Sequence, residues 1–245
     1  MLIFRVAFRS LPEILSKQFE WFAGGKKSHS SDTRIKLCFD VFMDELMKLL
    51  VFDLGHVLID FEWMEVCYAF SERCGLPNHE ILRVFSEIAE LGYEKGRVST
   101  FEFLSDLNRR LGSDIDQDEF KALWNTSFRS NTEMFSFVDM LSKSHKLFLL
   151  SNTNECHYNY IQENFDVERH FLETVLSYRV GHAKPEVEIY RDVVEKAGVL
   201  AEDCLFVDDL ECNVEAAKEF GMEALLFTDP GKLKSDLTAF GIKTA

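Results

Sequence analysis

Positive charge is scarce in this sequence. Its 245 residues carry 27 Lys and Arg against 42 Asp and Glu, a formal net charge of −15. That balance argues against a nucleic-acid backbone as the main partner, because counterion release needs a basic footprint. It leaves room for a small anionic substrate, since a few local cations and a metal ion reverse the field inside one cleft. No apolar run reaches membrane-spanning length, so no membrane partner is expected. C-x-x-C pairs are also missing. The six cysteines (Cys38, Cys67, Cys74, Cys156, Cys204 and Cys212) are dispersed, and four fall inside apolar helix or strand patterns. This usage points to free thiols in a reduced, cytoplasmic setting rather than to zinc or disulfides. Core material, by contrast, is plentiful: 47% hydrophobic residues and 23 Phe, in a chain long enough for a large domain plus a smaller one.

Residues 1–42 differ in composition from the rest. They hold seven Lys/Arg against four Asp/Glu, so the remainder holds 20 against 38, a net −18. The start, MLIFRVAFRSLPEILSKQFEWF, is mildly amphipathic and breaks into the linker-like run GGKKSHSSD. It has neither the apolar stretch nor the small-residue cleavage site of a secretory signal. An organelle transit peptide fits the acid-poor start, but the balance favours an appended tail, or translation beginning at Met43.

From Leu49 onward short apolar runs alternate with helical patterns. LLVF (49–52), KLFLL (146–150), ETVLSY (173–178), CLFV (204–207) and ALLF (224–227) read as strands. Helical spacing marks 63–73, 79–91, 155–164 and the stretch that Pro185 opens and Gly198 stops. Ser99 and Glu102 form a capping box for a helix ending at Gly112, and Asp116 or Asp118 opens another. The pattern predicts an α/β fold with a Rossmann-like parallel sheet core in 43–62 and 131–245. A small all-helical unit, 63–130, is inserted after the first strand.

Ligands of parallel sheets bind at the carboxyl ends of the strands. There the sequence delivers Asp53, then Ser151 and Asn152, then Asp208 and Asp209, with Lys184 just before a helix. Each alone is a common helix cap. Together they suit a phosphate ester. Three clustered carboxylates repel one another by about 4 kcal/mol per pair at ~4 Å and an effective dielectric near 20, which a hard cation such as Mg²⁺ relieves. Ser151 suits phosphate oxygens, Lys184 neutralises charge, and a carboxylate beside a held phosphate can act as nucleophile.

The segments FDLGHVL, LLSNTN, AKPEVEIY and FVDDLECN, in this order, resemble the four motifs of the haloacid dehalogenase superfamily. The likeness is greatest to its α-D-glucose-1-phosphate phosphatase-like branch, with the helical insert in the position of a small cap. The resemblance implies a Mg²⁺-dependent phosphatase acting on a small phosphorylated metabolite, such as a sugar phosphate, through an aspartyl phosphate. It implies that Asp53 is the nucleophile and a metal ligand, with the Gly55 backbone carbonyl, Asp209 and Asp208 completing the metal set. Of the two adjacent acids, Asp209 is favoured as the direct ligand, and Asp208 would act directly or through water; the sequence does not separate them. Ser151 and Asn152 would bind phosphate, and Lys184 would steady Asp53 and the phosphoryl group.

Gly55 is a departure, since many phosphatases of the superfamily carry a second Asp there to protonate the leaving oxygen. His56 is another, standing where the branch has Asn; it either substitutes for Asn in the turn or acts as acid or base near neutral pH. The chief alternative is a fold-retaining binding or regulatory protein without turnover. A metal-independent dehalogenase and a phosphoglucomutase-type transferase rank lower, because of the Asp208–Asp209 pair and of Gly55 respectively. His157 and Tyr160 are expected either to line the pocket or to pack. The sequence carries no mark of oligomeric state.

Overall fold

The computed structural model describes residues 48–244. The expectations for residues 1–42, for Cys38 and for the first residues of the core lie outside that range. Five strands form one sheet: β1 (Leu49–Phe52), β4 (Leu147–Ser151), β5 (Glu173–Leu176), β6 (Cys204–Asp208) and β7 (Glu223–Leu226). Their order is β5-β4-β1-β6-β7 and every pairing is parallel. β1 is central because all four of its residues are apolar and buried. Leu50 and Phe52 enter one core cluster, while Leu49 and Val51 enter the cluster on the opposite face. A strand buried on both faces reads as a continuous apolar run, as LLVF does.

Helices cover both faces. After β1 and the two-residue β2 (Ile59–Asp60) come α1 (Trp63–Cys74), α2 (Asn78–Ala89), α3 (Thr100–Leu111) and α4 (Gln117–Trp124). These four share their own hydrophobic cluster, built on Phe70, Phe85, Phe103, Phe120 and Trp124. β3 (Arg129–Ser130) then pairs antiparallel with β2, so the chain leaves and re-enters the core side by side. The expected helix-only block 63–130 is corrected at that point, because its last two residues are extended. The Ser99–Glu102 capping box and the Gly112 stop are both formed, and Asp116 rather than Asp118 caps α4.

The remaining helices are α5 (Thr132–Ser142), α6 (Glu155–Phe165), α7 (Ser177–Val180), α8 (Val187–Ala197), α9 (Glu211–Phe220) and α10 (Pro230–Ala239). Two expectations change here. ETVLSY is a strand only through Leu176, since the Ser177 hydroxyl exchanges hydrogen bonds with the backbone of Thr153 and the chain turns into α7. Pro185 does not open its helix; Glu186 is the extended residue before α8. The described cysteines are all free, with Cys67, Cys156 and Cys204 buried, Cys74 half-buried and Cys212 exposed. No helix among the described residues is long and apolar enough to cross a membrane.

Candidate active site

Register brings the polar residues to one edge. Phe52 pairs with Val207 on β6 and with Leu149 on β4, so Asp53 stands level with Asp208, and Ser151 ends β4 beside them. The Asp53 N–H donates to the Val207 carbonyl at 2.9 Å, fixing the chain where β1 ends. The Asp53 carboxylate takes two donors on Oδ1, the Leu54 N–H at 2.7 Å and Lys184 Nζ at 2.6 Å.

Lys184 is the hub. Its ammonium, fully enclosed, also reaches Asp208 Oδ2 at 2.7 Å and the Leu150 carbonyl at 3.2 Å, so all three donors are engaged. Asp208 is saturated as well: its Oδ1 accepts from the Leu210 N–H and from Asn213 Nδ2, each at 2.9 Å. Asp209 is half-buried and points no oxygen at another residue's donor among the described residues. Ligand atoms of Asp53, Asp208 and Asp209 all lie within 4.8 Å of one another.

The electrostatics follow from three carboxylates and one ammonium in a place with little water. Burial pushes the Asp53 carboxyl up to about 7, against the pull of Lys184 and with the help of Asp208. Asp209 is raised too, by burial and then by the Asp208 charge. Burial works against the Lys184 ammonium, yet the two carboxylates override it and hold its pKa above the ordinary lysine value. One positive charge for three negative ones leaves the cluster short of cation. Its donors are all oxygens, with no cysteine or histidine among them, and such a set suits Mg²⁺.

The loop after β1 is tight. His56 has φ +53°, and the Gly55 carbonyl accepts the Val57 N–H at 2.6 Å across it. Asn and His tolerate this left-handed backbone better than most residues, which gives His56 a conformational reason to be there. Its ring also lines the cavity and lies close enough to Asp209 to favour that carboxylate's charged form.

A cavity of about 210 Å³ opens beside these residues. Leu54, Gly55 and His56 line one side, and Ser151, Asn152 and Thr153 another. Phe61, Trp63, Phe128, His157 and Glu94 close it. His157 therefore lines the pocket, but not as a proton source. Its Nε2–H donates to the Trp124 carbonyl at 3.2 Å, its Nδ1 accepts from Asn154 at 3.1 Å, and burial lowers its pKa to about 3. Tyr160 is not among the lining residues.

Asn152 spends its side chain differently from expectation. Its Oδ1 accepts the Lys184 N–H and its Nδ2 donates to the Lys184 carbonyl, both at 2.8 Å. The amide pair clamps the loop that carries Lys184, because strand ends alone would leave that loop free to shift. Ser151 is buried and its hydroxyl makes only a 3.4 Å contact to the next carbonyl. Two residues escaped the sequence argument. Asn213, the last residue of FVDDLECN, props Asp208. Glu94 enters the cavity from a short 3-10 turn, Tyr93–Lys95; its flanking glycines in GYEKG were the available signal.

The model of the haloacid dehalogenase-like hydrolases matches residues 47–221. The D-ribitol-5-phosphate phosphatase of Bacteroides thetaiotaomicron is 27% identical over 206 residues, covering 79% of this chain and 98% of that protein. Flavin mononucleotide hydrolase 1 of Arabidopsis thaliana, described as chloroplastic, is 25% identical over 199 residues, covering 81% of this chain and 80% of its own. The magnesium complex of a haloacid dehalogenase-family enzyme from B. thetaiotaomicron superposes with a TM-score of 0.70 at 30% identity, over 76% of this chain and 98% of that one. With the strand-end carboxylates, the buried lysine and the match over most of its length, the chain belongs to the haloacid dehalogenase-like hydrolases.

Proposed function

We propose that the protein is a Mg²⁺-dependent phosphomonoesterase that removes a terminal phosphate from a small polyol or sugar phosphate through an aspartyl phosphate on Asp53. The observation that carries this reading is the Asp53–Lys184–Asp208 triad with Asp209 beside it. Asp53 Oδ1 is held by Leu54 and Lys184, which leaves Oδ2 as the attacking atom. Oδ2 bonds to phosphorus as the ester P–O bond breaks; water then attacks phosphorus, the Asp53–phosphorus bond breaks, and inorganic phosphate leaves.

Asp53, Asp209 and the Gly55 carbonyl would hold the Mg²⁺, with Asp208 as the anchor of Lys184 beside it. The ion, when bound, neutralises charge on the transferring group. Lys184 favours the ionised form of Asp53 against burial and balances the phosphoryl oxygens, with Ser151 and the neighbouring Asn152 backbone as phosphate partners. His56 is the group at the cavity wall that moves a proton to the leaving oxygen where Gly55 has no acid.

The substrate class draws on two relatives. Flavin mononucleotide is the 5′-phosphate of a ribityl chain, so the substrates in both relatives' names end in the same phosphorylated polyol unit. The inserted helices 63–124 act as a cap that closes over that unit, and the free cysteines support a cytoplasmic setting. The test is phosphate release from a panel of esters with Mg²⁺ and with EDTA. Terminal polyol phosphates should be hydrolysed only with Mg²⁺; halide release that ignores EDTA, with no phosphate release, would sink the reading.

A further inference from the structure

We infer that Glu94 is the specificity residue of the cavity: its carboxylate accepts hydrogen bonds from hydroxyls of the leaving group and turns away leaving groups that bear a second anion. The inference rests on the phosphomonoesterase reading above.

The turn that carries Glu94 is fixed on both sides. Tyr93 is buried, stacks on Phe103 with ring centroids 4.4 Å apart, and shares a 2.8 Å hydrogen bond with Thr100 Oγ1. Lys95 Nζ lies 2.6 Å from Glu186, two residues after the catalytic lysine. Gly96 has φ +62°, and a Cβ there would meet the Tyr178 carbonyl oxygen at 2.1 Å, so only glycine allows the turn to sit this close to α7. Between these anchors, Glu94 makes no hydrogen bond or ion pair among the described residues, and it faces the cavity.

Glu94 is exposed to solvent, yet protein atoms stand close enough on the cavity side for desolvation to raise its pKa. The cavity is also lined by the rings of Phe61, Trp63 and Phe128 and the neutral His157, which suit the C–H faces of a carbon chain and offer its hydroxyls little to bond. Among the described residues, Glu94 is the one carboxylate that lines the cavity. A hydrogen bond to a charged acceptor changes affinity by roughly tenfold or more. The same charge repels a second phosphate or carboxylate on the substrate.

The experiment uses the full chain with Mg²⁺, as wild type, Glu94→Ala and Glu94→Gln. It compares kcat/KM for D-ribitol 5-phosphate, p-nitrophenyl phosphate and 3-phosphoglycerate. In Glu94→Ala the ratio of ribitol phosphate to p-nitrophenyl phosphate should fall by about tenfold, mostly through KM, and the ratio for phosphoglycerate should rise. Glu94→Gln, which keeps shape and hydrogen bonding, should retain more of the polyol preference while still admitting phosphoglycerate. Wild-type turnover with both ratios unmoved in both variants overturns the role of Glu94. Absence of wild-type turnover on every ester overturns the phosphomonoesterase reading itself.

Discussion

The Lys184 ammonium sits 2.6 Å from the Asp53 carboxylate, inside the protein, and the same nitrogen reaches Asp208 at 2.7 Å. The two acids come from different strands, and the lysine holds them in register at the sheet edge. Removing it leaves Asp208 buried with one oxygen unpaired. Lys184→Met should therefore lower unfolding stability by about 3 kcal/mol, measured in urea, and cut kcat by roughly a hundredfold or more. A variant with wild-type stability would mean that the lysine is not the electrostatic centre of the fold edge.

Asp53 gives a pH dependence with a definite sign. Its folded-state carboxyl is pushed up to about 7 from 3.8, chiefly by burial. The proton thus favours the folded state, and this contribution to metal-free stability is present below pH ~4 and lost as pH rises through about 7. In EDTA, Asp53→Asn should melt higher than wild type at pH 8, and the difference should narrow steadily as pH falls toward 4. Mg²⁺ should raise the wild-type Tm more at pH 8 than at pH 5, since it meets an ionised Asp53 only at the higher pH.

His56 has a conformational and a chemical reason to be where it is, and Asn separates them. Asparagine tolerates φ +53° but moves no proton. His56→Asn should keep the wild-type Tm and lose about a hundredfold in kcat on alkyl phosphates, with much less effect on p-nitrophenyl phosphate, whose leaving group needs no proton. Unchanged hydrolysis of both would assign His56 to the turn alone.

Gly55 leaves open space where an acid fits. No atom lies within 4 Å of a Cβ built there, and its φ is not left-handed. Gly55→Asp should fold normally and restore turnover of alkyl phosphates to the His56→Asn background, measured as kcat on a polyol phosphate. A double variant as slow as His56→Asn would show that an acid at this position cannot reach the leaving oxygen.

The parts of this site that were legible in the sequence are those set by local pattern. LLVF announces a strand buried on both faces, and the acids that follow such strands announce a sheet-edge site. Ser99, Glu102 and Gly112 mark helix ends because capping is a local hydrogen-bond requirement. What stayed hidden depends on distant partners. Ser177 ends β5 early because it bonds Thr153 in the loop that follows β4. Asn152 looks like a phosphate ligand until Lys184 is found to occupy its amide. Glu94 becomes informative only once Gly96 is seen packed against Tyr178, far along the chain. Helices α5 and α10 were not marked by the alternation of strands with motif-bearing turns, because they cover the sheet without contributing to its edge.

The central claim is covalent transfer to Asp53. The most direct measurement mixes the full chain and Mg²⁺ with a radiolabelled terminal polyol phosphate and quenches in acid within milliseconds. The expected result is label bound to the protein, released by hydroxylamine as an acyl phosphate is, mapped to the peptide holding Asp53 and absent from Asp53→Asn. Steady phosphate release with no label on the chain, or label unchanged in Asp53→Asn, would contradict it.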